Sequence, residues 1–257
     1  MFKTTTVACL VAAACASNVQ PREFYEKAFF EHITTHKITV KDGAEFTRFL
    51  STFADNFDLI EKHNSEGHTY KYGLNKFSHL SFNEFIDEVK IGGTRAPNLR
   101  RRTTGAGLHN APADKTSTPS SIDWVEKGAV TDVKDQGSCG SCWSFSTTGS
   151  LEGAYQIKYG SLKAFSEQEL VSCDTGGADA GCNGGWMDDA FDFVKSNGGL
   201  TTEDAYPYTS GSTGKSGSCT TSGYTNDANV APSSYTDVKA GDVDAMASAV
   251  AQQPVSI

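Results

Sequence analysis

Apolar residues recur at three- and four-residue spacing through Phe46, Phe49, Leu50, Phe53, Phe57 and Ile60. That period predicts one long amphipathic helix from about Ala44 to His63, inside a small helical module over residues 21 to about 90. From Gly92 to Pro119 the periodicity stops, and Gly, Thr, Ala, Pro and Ser surround the basic run Arg100, Arg101 and Arg102. This composition predicts a linker, the kind of segment where proteolytic nicking concentrates. Periodic segments return after Ser120. A helix is predicted from Ser141 to Tyr159, stopped by Gly160. Ser166 with Glu169 three residues on makes a capping box that starts another. A third covers Asp189 to Ser196, with Ala190, Phe191 and Val194 on one face and Gly198 after it. Residues 209 to 224 are low in complexity and predict a surface loop. Val243 to Ala251 predicts a short helix, and Pro254 to Ile257 the start of a strand with nothing after it.

The chain has 257 residues, enough for one large domain or two, and its 38% hydrophobic and 21% charged residues exclude a disordered tail or a multispan membrane protein. A net charge of −9 argues against a general nucleic-acid partner. The imbalance is uneven. Residues 117 to 257 hold 18 Asp and Glu against 7 Lys, a net of −11, which leaves +2 for the first 116 residues. Opposite signs suggest two segments that dock on each other and loosen as carboxylates protonate; two solvated surfaces of unlike composition are the competing reading.

Residues 1–16 read as a secretory signal peptide, with Lys3, an apolar run from Val7 to Ala14, and Ala14 and Ala16 at the cleavage positions. The run is short of the roughly 20 residues a membrane span needs. Cleavage leaves Cys139, Cys142, Cys173, Cys182 and Cys219, an odd number in an oxidising compartment, so one thiol stays free.

The segment from Gln136 to Trp143 concentrates chemistry. Cys142 falls in the first helical turn, where the macrodipole favours a thiolate. Gln136, on the approaching loop, can aim its amide at a developing oxyanion, with the Cys142 N–H as second donor. A zinc half-site is the competing reading, but it needs a second close Cys or His pair, and none follows. A redox dithiol of Cys139 and Cys142 would leave three other cysteines, again an odd number.

Cys139-Gly140-Ser141-Cys142-Trp143 resembles the signature of the papain-like cysteine peptidases, and of their cathepsin L-like group. Further matches are Ile122-Asp123-Trp124, Gly128-Ala129-Val130-Thr131, Val133 to Ser138, Ser166 to Leu170, Cys173-Asp174, Gly181 to Gly185, and Tyr206-Pro207-Tyr208. The resemblance implies an α+β fold: a helical propeptide, a mainly helical left domain, and the start of a right β-barrel domain. It implies the boundaries 1–16 signal peptide, 17–91 inhibitory propeptide, 92–118 linker and activation region, and 119–257 partial peptidase domain. Cys142 becomes the nucleophile and Gln136 the oxyanion side chain. Cys139 pairs with Cys182 and Cys173 with Cys219. Asn183, Gly184 and Gly185 form the strip that holds an extended substrate. Trp186 and Met187 form the wall of the pocket for the side chain two residues before the scissile bond, with a preference for bulky apolar groups; Trp186 as a plain core residue is the alternative. The implied partners are protein or peptide substrates and the chain's own propeptide as intramolecular inhibitor. A monomer is expected, with no metal, no cofactor and no membrane span in the mature chain.

The propeptide pattern matches at Glu45, Phe53, Asn56, Ile60 and Asn64, then at Gly73, Asn75 and Phe77. Two positions depart from it. Phe49 replaces an expected arginine, with Arg48 displaced by one, and His79 replaces an expected aspartate. Histidine ordinarily titrates near about pH 6.5, so His79 is expected either to take part in the acid response or to be a solvated surface group.

The thiol nucleophile of this class works with an imidazole and an orienting group. The family places its His and Asn about 130–150 residues after the nucleophile, beyond Ile257, and no His follows His109. The chain is therefore expected to be a piece of a longer secreted, lysosomal or vacuolar endopeptidase zymogen, and inactive as it stands. A propeptide-type peptidase inhibitor and a pseudoenzyme are the alternatives.

Overall fold

The computed structural model describes residues 19–89 and 107–257. The expected signal peptide and the first part of the expected linker, with its arginine run, lie outside the described residues. The described residues divide into two units, the first ending at Phe85 and the second beginning at Ile86.

In the first unit, α1 (Arg22–Thr35) packs on α2 (Gly43–Ser65). Asp42 caps α2 by accepting the Glu45 N–H at 2.8 Å, while the Glu45 carboxylate accepts the Lys41 N–H at 2.7 Å. The predicted apolar stripe is the buried face: Phe49, Leu50 and Phe53 join Tyr25 and Phe29 of α1 in one core. Phe29 and Phe53 have no exposed surface and contribute about 1.5–3 kcal/mol each. Asn56 Nδ2 donates to the Ser78 carbonyl at 3.0 Å, and Asn64 exchanges two hydrogen bonds with the Tyr72 backbone, at 2.9 and 2.8 Å. These bonds tie the segment after α2 back onto it.

His79 is buried, not a solvated surface group. Its ring lies 4.7 Å from that of Phe49, edge to face, and 5.6 Å from that of His32. Positions 49 and 79, the two departures noted in the sequence, therefore touch each other through an aromatic contact. The displaced Arg48 sits over the Phe49 ring at 4.5 Å and pairs with Glu84. Helix α3 (Phe82–Val89) follows, and the division between the units falls within it.

In the second unit, α4 (Cys142–Tyr159) contacts both α5 (Glu167–Cys173) and α6 (Met187–Ser196). Trp143 and Leu151 of α4 share a core with Leu170 of α5 and with Ala190 and Val194 of α6. Gly160 closes α4 in the left-handed conformation, φ 70°, as its place in the sequence suggested. Glu152 and Glu167 are also buried here, each 1% exposed, and both accept from Lys134 Nζ, at 2.7 and 2.6 Å. Burial acts to lower the pKa of Lys134, but Glu167 and Glu152 outweigh it and the pKa is raised.

Several elements differ from expectation. The capping box forms only one of its two bonds: Ser166 Oγ accepts the Glu169 N–H at 3.0 Å, but the Ser166 N–H donates to Thr201. The Glu169 carboxylate turns instead to Asn197 Nδ2 and the Thr201 N–H. Helix α6 begins two residues early, because Asp179 Oδ1 fixes the Trp186 N–H at 2.6 Å and the Ala190 N–H closes on the Trp186 carbonyl. The expected surface loop contains a one-turn helix, α7 (Ser210–Thr213). Its Ser210 is buried because Gln168 Oε1 accepts the N–H groups of Thr209 and Ser210. Within the expected linker, β1 (Gly107–His109) pairs in parallel with β2 (Thr236–Val238), Leu108 opposite Asp237. Helix α8 (Val243–Val250) is capped by Asp242, which accepts the Ala245 N–H at 3.0 Å. Pro254–Ile257 pairs with no strand among the described residues. It lies against α4, where Ser256 Oγ donates to the Ser146 carbonyl and the Ile257 N–H to Ser146 Oγ.

Candidate active site

Cys142 is the first residue of α4, exposed, and the free cysteine among the described residues. Cys139 is bonded to Cys182 and Cys173 to Cys219. The loop leading to Cys142 is braced from behind. Asp135 Oδ1 accepts the Gly137 N–H at 2.9 Å, and the Ser138 N–H donates to the Gly211 carbonyl at 2.9 Å. Gly137 sits at φ 58°, and a Cβ there would lie 2.5 Å from the Gly211 oxygen, so only glycine fits. Ser141, at the N-cap, does not cap the helix with its side chain. Its Oγ is 2.7 Å from the Tyr208 hydroxyl, which lies 2.8 Å from the Gln136 carbonyl oxygen. The Cys142 N–H, among the first donors of the helix and so without an intrahelical acceptor, has no acceptor among the described residues.

Gln136 Nε2 makes two hydrogen bonds, one to the Cys139 carbonyl at 2.8 Å and one to the Val89 carbonyl at 3.1 Å. The first is local and orients the amide. The second spends the remaining N–H on a backbone oxygen from the end of α3, so this chain's own segment occupies the donor read as the oxyanion side chain. Spacing alone could not reveal that contact, since the partners are 47 residues apart.

Gly140 donates to the Cys182 carbonyl at 3.0 Å and bridges to Asn183, which brings the Asn183–Gly185 strip alongside the Cys142 loop. The Gly184 carbonyl accepts the Ala180 N–H at 2.9 Å. Gly185 differs: neither its N–H nor its carbonyl has a partner among the described residues, the condition for pairing with an extended backbone. A Cβ on Gly185 would meet Asp179 Oδ1 at 2.4 Å and the Trp143 ring at 2.5 Å. Burial first, then the neighbouring Asp174 carboxyl, pushes the Asp179 pKa up to about 9. Trp186 and Met187 are half-buried and border a groove of about 1110 Å³ with Phe191 and Tyr235; its lining includes neither Cys142 nor Gln136.

Tyr208 and Asp179 are two positioning residues that the sequence did not single out for that role. Tyr208 lies in the Tyr-Pro-Tyr match, a visible signal without an evident purpose; Asp179 carried none. No imidazole lies among residues 110–257. His109 Nε2 is 3.1 Å from Ser248 Oγ on α8.

An exposed thiol opening a helix, an amide donor on the loop that leads to it and an unpaired glycine backbone fit acyl transfer through cysteine. Residues 118–257 match the papain family cysteine protease domain, and residues 29–85 match the cathepsin propeptide inhibitor domain (I29). The chain belongs to the papain family of cysteine proteases. It is 38% identical over 264 positions to cathepsin L of Sarcophaga peregrina, across 100% of this chain and 76% of that protein. It is 42% identical over 232 positions to cysteine proteinase EP-B 1 of Hordeum vulgare, across 87% of this chain and 59% of that protein. Among solved structures, a recombinant stem bromelain precursor matches with a TM-score of 0.71 at 34% identity, covering 89% of this chain and 70% of that one. The chain is thus shorter than each of these three relatives.

Proposed function

We propose that this chain belongs to the zymogen of a cysteine endopeptidase that cleaves proteins with bulky apolar side chains two residues before the scissile bond. The Cys142 sulfur attacks the peptide carbonyl, and the oxyanion accepts from the Cys142 N–H and Gln136 Nε2, a donor of this kind being worth about 2.7–4 kcal/mol. Gly185 pairs with the substrate backbone, and Trp186 and Met187 receive the apolar side chain. The thiol proton must reach the leaving amine through an imidazole, which residues 110–257 do not contain. The observation that carries the zymogen reading is the Val89 carbonyl on Gln136 Nε2: a segment of the expected propeptide, residues 17–91, holds the donor that a substrate would need. The peptidase domain is expected to begin near residue 119 and to act as a monomer. Two disulfides suit an oxidising compartment, and we place the enzyme in the secretory pathway, bound for a lysosome- or vacuole-like compartment or for the exterior. Among the described residues no helix is long and apolar enough to cross a membrane.

Peptide aldehydes test the specificity, since they add reversibly to a thiol and leave the new oxygen in the oxyanion site. An aldehyde with Phe or Leu at the second position should bind at least about 10-fold tighter, some 1.4 kcal/mol, than one with Gly or Asp there. Equal affinities would refute the assigned pocket.

A further inference from the structure

The C-terminal end of α2 carries a cluster that the peptidase chemistry does not use. His63 in the last turn, Glu66 at the C-cap and His68 just beyond each offer a ligand atom, and these atoms all lie within 4.8 Å of one another. His63 Nε2 is buried and has no hydrogen-bond partner, a costly state for an imidazole nitrogen that finds nothing to bind. The His63 ring is held in place by stacking, 4.3 Å from the His68 ring and 3.8 Å from the Tyr72 ring. The backbone beneath it is fixed by the two bonds between Asn64 and Tyr72. His68 Nε2 already lies 3.0 Å from Glu66 Oε2.

We propose that His63, Glu66 and His68 form a binding site for one divalent transition-metal ion of the zinc class. Two imidazoles and a carboxylate are a donor set that zinc accepts, with a fourth position left for water. A tetrahedral ion sits about 2.0–2.2 Å from each donor, so donor atoms spread over as much as 4.8 Å must draw together to hold it. Glu66 and His68 are exposed and can turn inward, while His63 keeps its contact with the Tyr72 ring. The bound ion ties the last turn of α2 to the residues after it, adding a cross-link where the helix would otherwise fray. The site is independent of the peptidase reaction.

The test uses the full chain with Cys142 first alkylated by iodoacetamide, so that its thiol cannot compete. Titration calorimetry with zinc chloride should show one ion bound at micromolar affinity, and Co²⁺ should give tetrahedral d–d absorption without a thiolate charge-transfer band. His68→Gln and Glu66→Gln change exposed side chains and should leave the fold intact while weakening zinc at least about 10-fold each. His63→Ala should abolish binding. Zinc affinity unchanged in His68→Gln and Glu66→Gln, or no binding above that of a His63→Ala/His68→Gln double variant, overturns the proposal.

Discussion

The placement of Cys142 and Gln136 depends on side chains packed behind the loop that carries them. Tyr208 joins the Gln136 carbonyl to Ser141 at the helix N-cap through a single hydroxyl. Removing that oxygen should cost about 1–1.5 kcal/mol and let the Gln136 loop drift. Tyr208→Phe is therefore expected to weaken peptide-aldehyde affinity several-fold, while the rate at which iodoacetamide alkylates Cys142 stays within a factor of about two. The split matters because a variant that merely unsettled the fold would change both. If aldehyde binding is unaltered in Tyr208→Phe, the hydroxyl does not position the loop. Gly137 was legible as part of the matched segment, yet its reason was not: the requirement comes from Gly211, whose backbone passes behind it.

Helices announced themselves in the sequence where their determinants are local. The stripe through Phe46, Leu50 and Phe53 and the stop at Gly160 lie within the elements they define, and α2 and α4 follow them. Elements determined from afar were silent. Strand β1 is three residues in a Gly- and Thr-rich stretch, and its partner lies at Thr236–Val238. Helix α7 exists because Gln168 reaches it from α5. The core between α1 and α2 adds a feature that hydrophobic spacing could not show, a buried histidine. Burial first, then His36 and His79, lowers the pKa of His32 to about 4. Between about pH 4 and 6.5 the unfolded chain binds a proton that the folded unit refuses. Stability is thus fully present above pH 6.5 and is lost as the pH falls to about 4, on the order of 3 kcal/mol. Hydrogen exchange in α1 and α2, corrected for the intrinsic pH effect, should show this loss of protection in the parent chain and a clearly smaller loss in His32→Leu. The same pH dependence in both would remove His32 from the account.

At the scale of the whole molecule, a cathepsin propeptide inhibitor domain precedes a papain family domain in the chain, and the family was readable from the residues around Cys142. The hydrogen bond from Gln136 Nε2 to the Val89 carbonyl, both in the second unit, was not, because a backbone carbonyl has no sequence signature. Val89 is 8% exposed, so an aspartate there carries a desolvation cost that should lift the end of α3 away from Gln136. The most direct measurement is mass-spectrometric mapping of a peptidyl epoxide on the intact chain and on Val89→Asp. The account predicts one adduct, on Cys142, absent from Cys142→Ser and formed about 10-fold faster in Val89→Asp, the equivalent of roughly 1.4 kcal/mol. Adducts on other residues, or the same rate with and without the Val89 change, would contradict it.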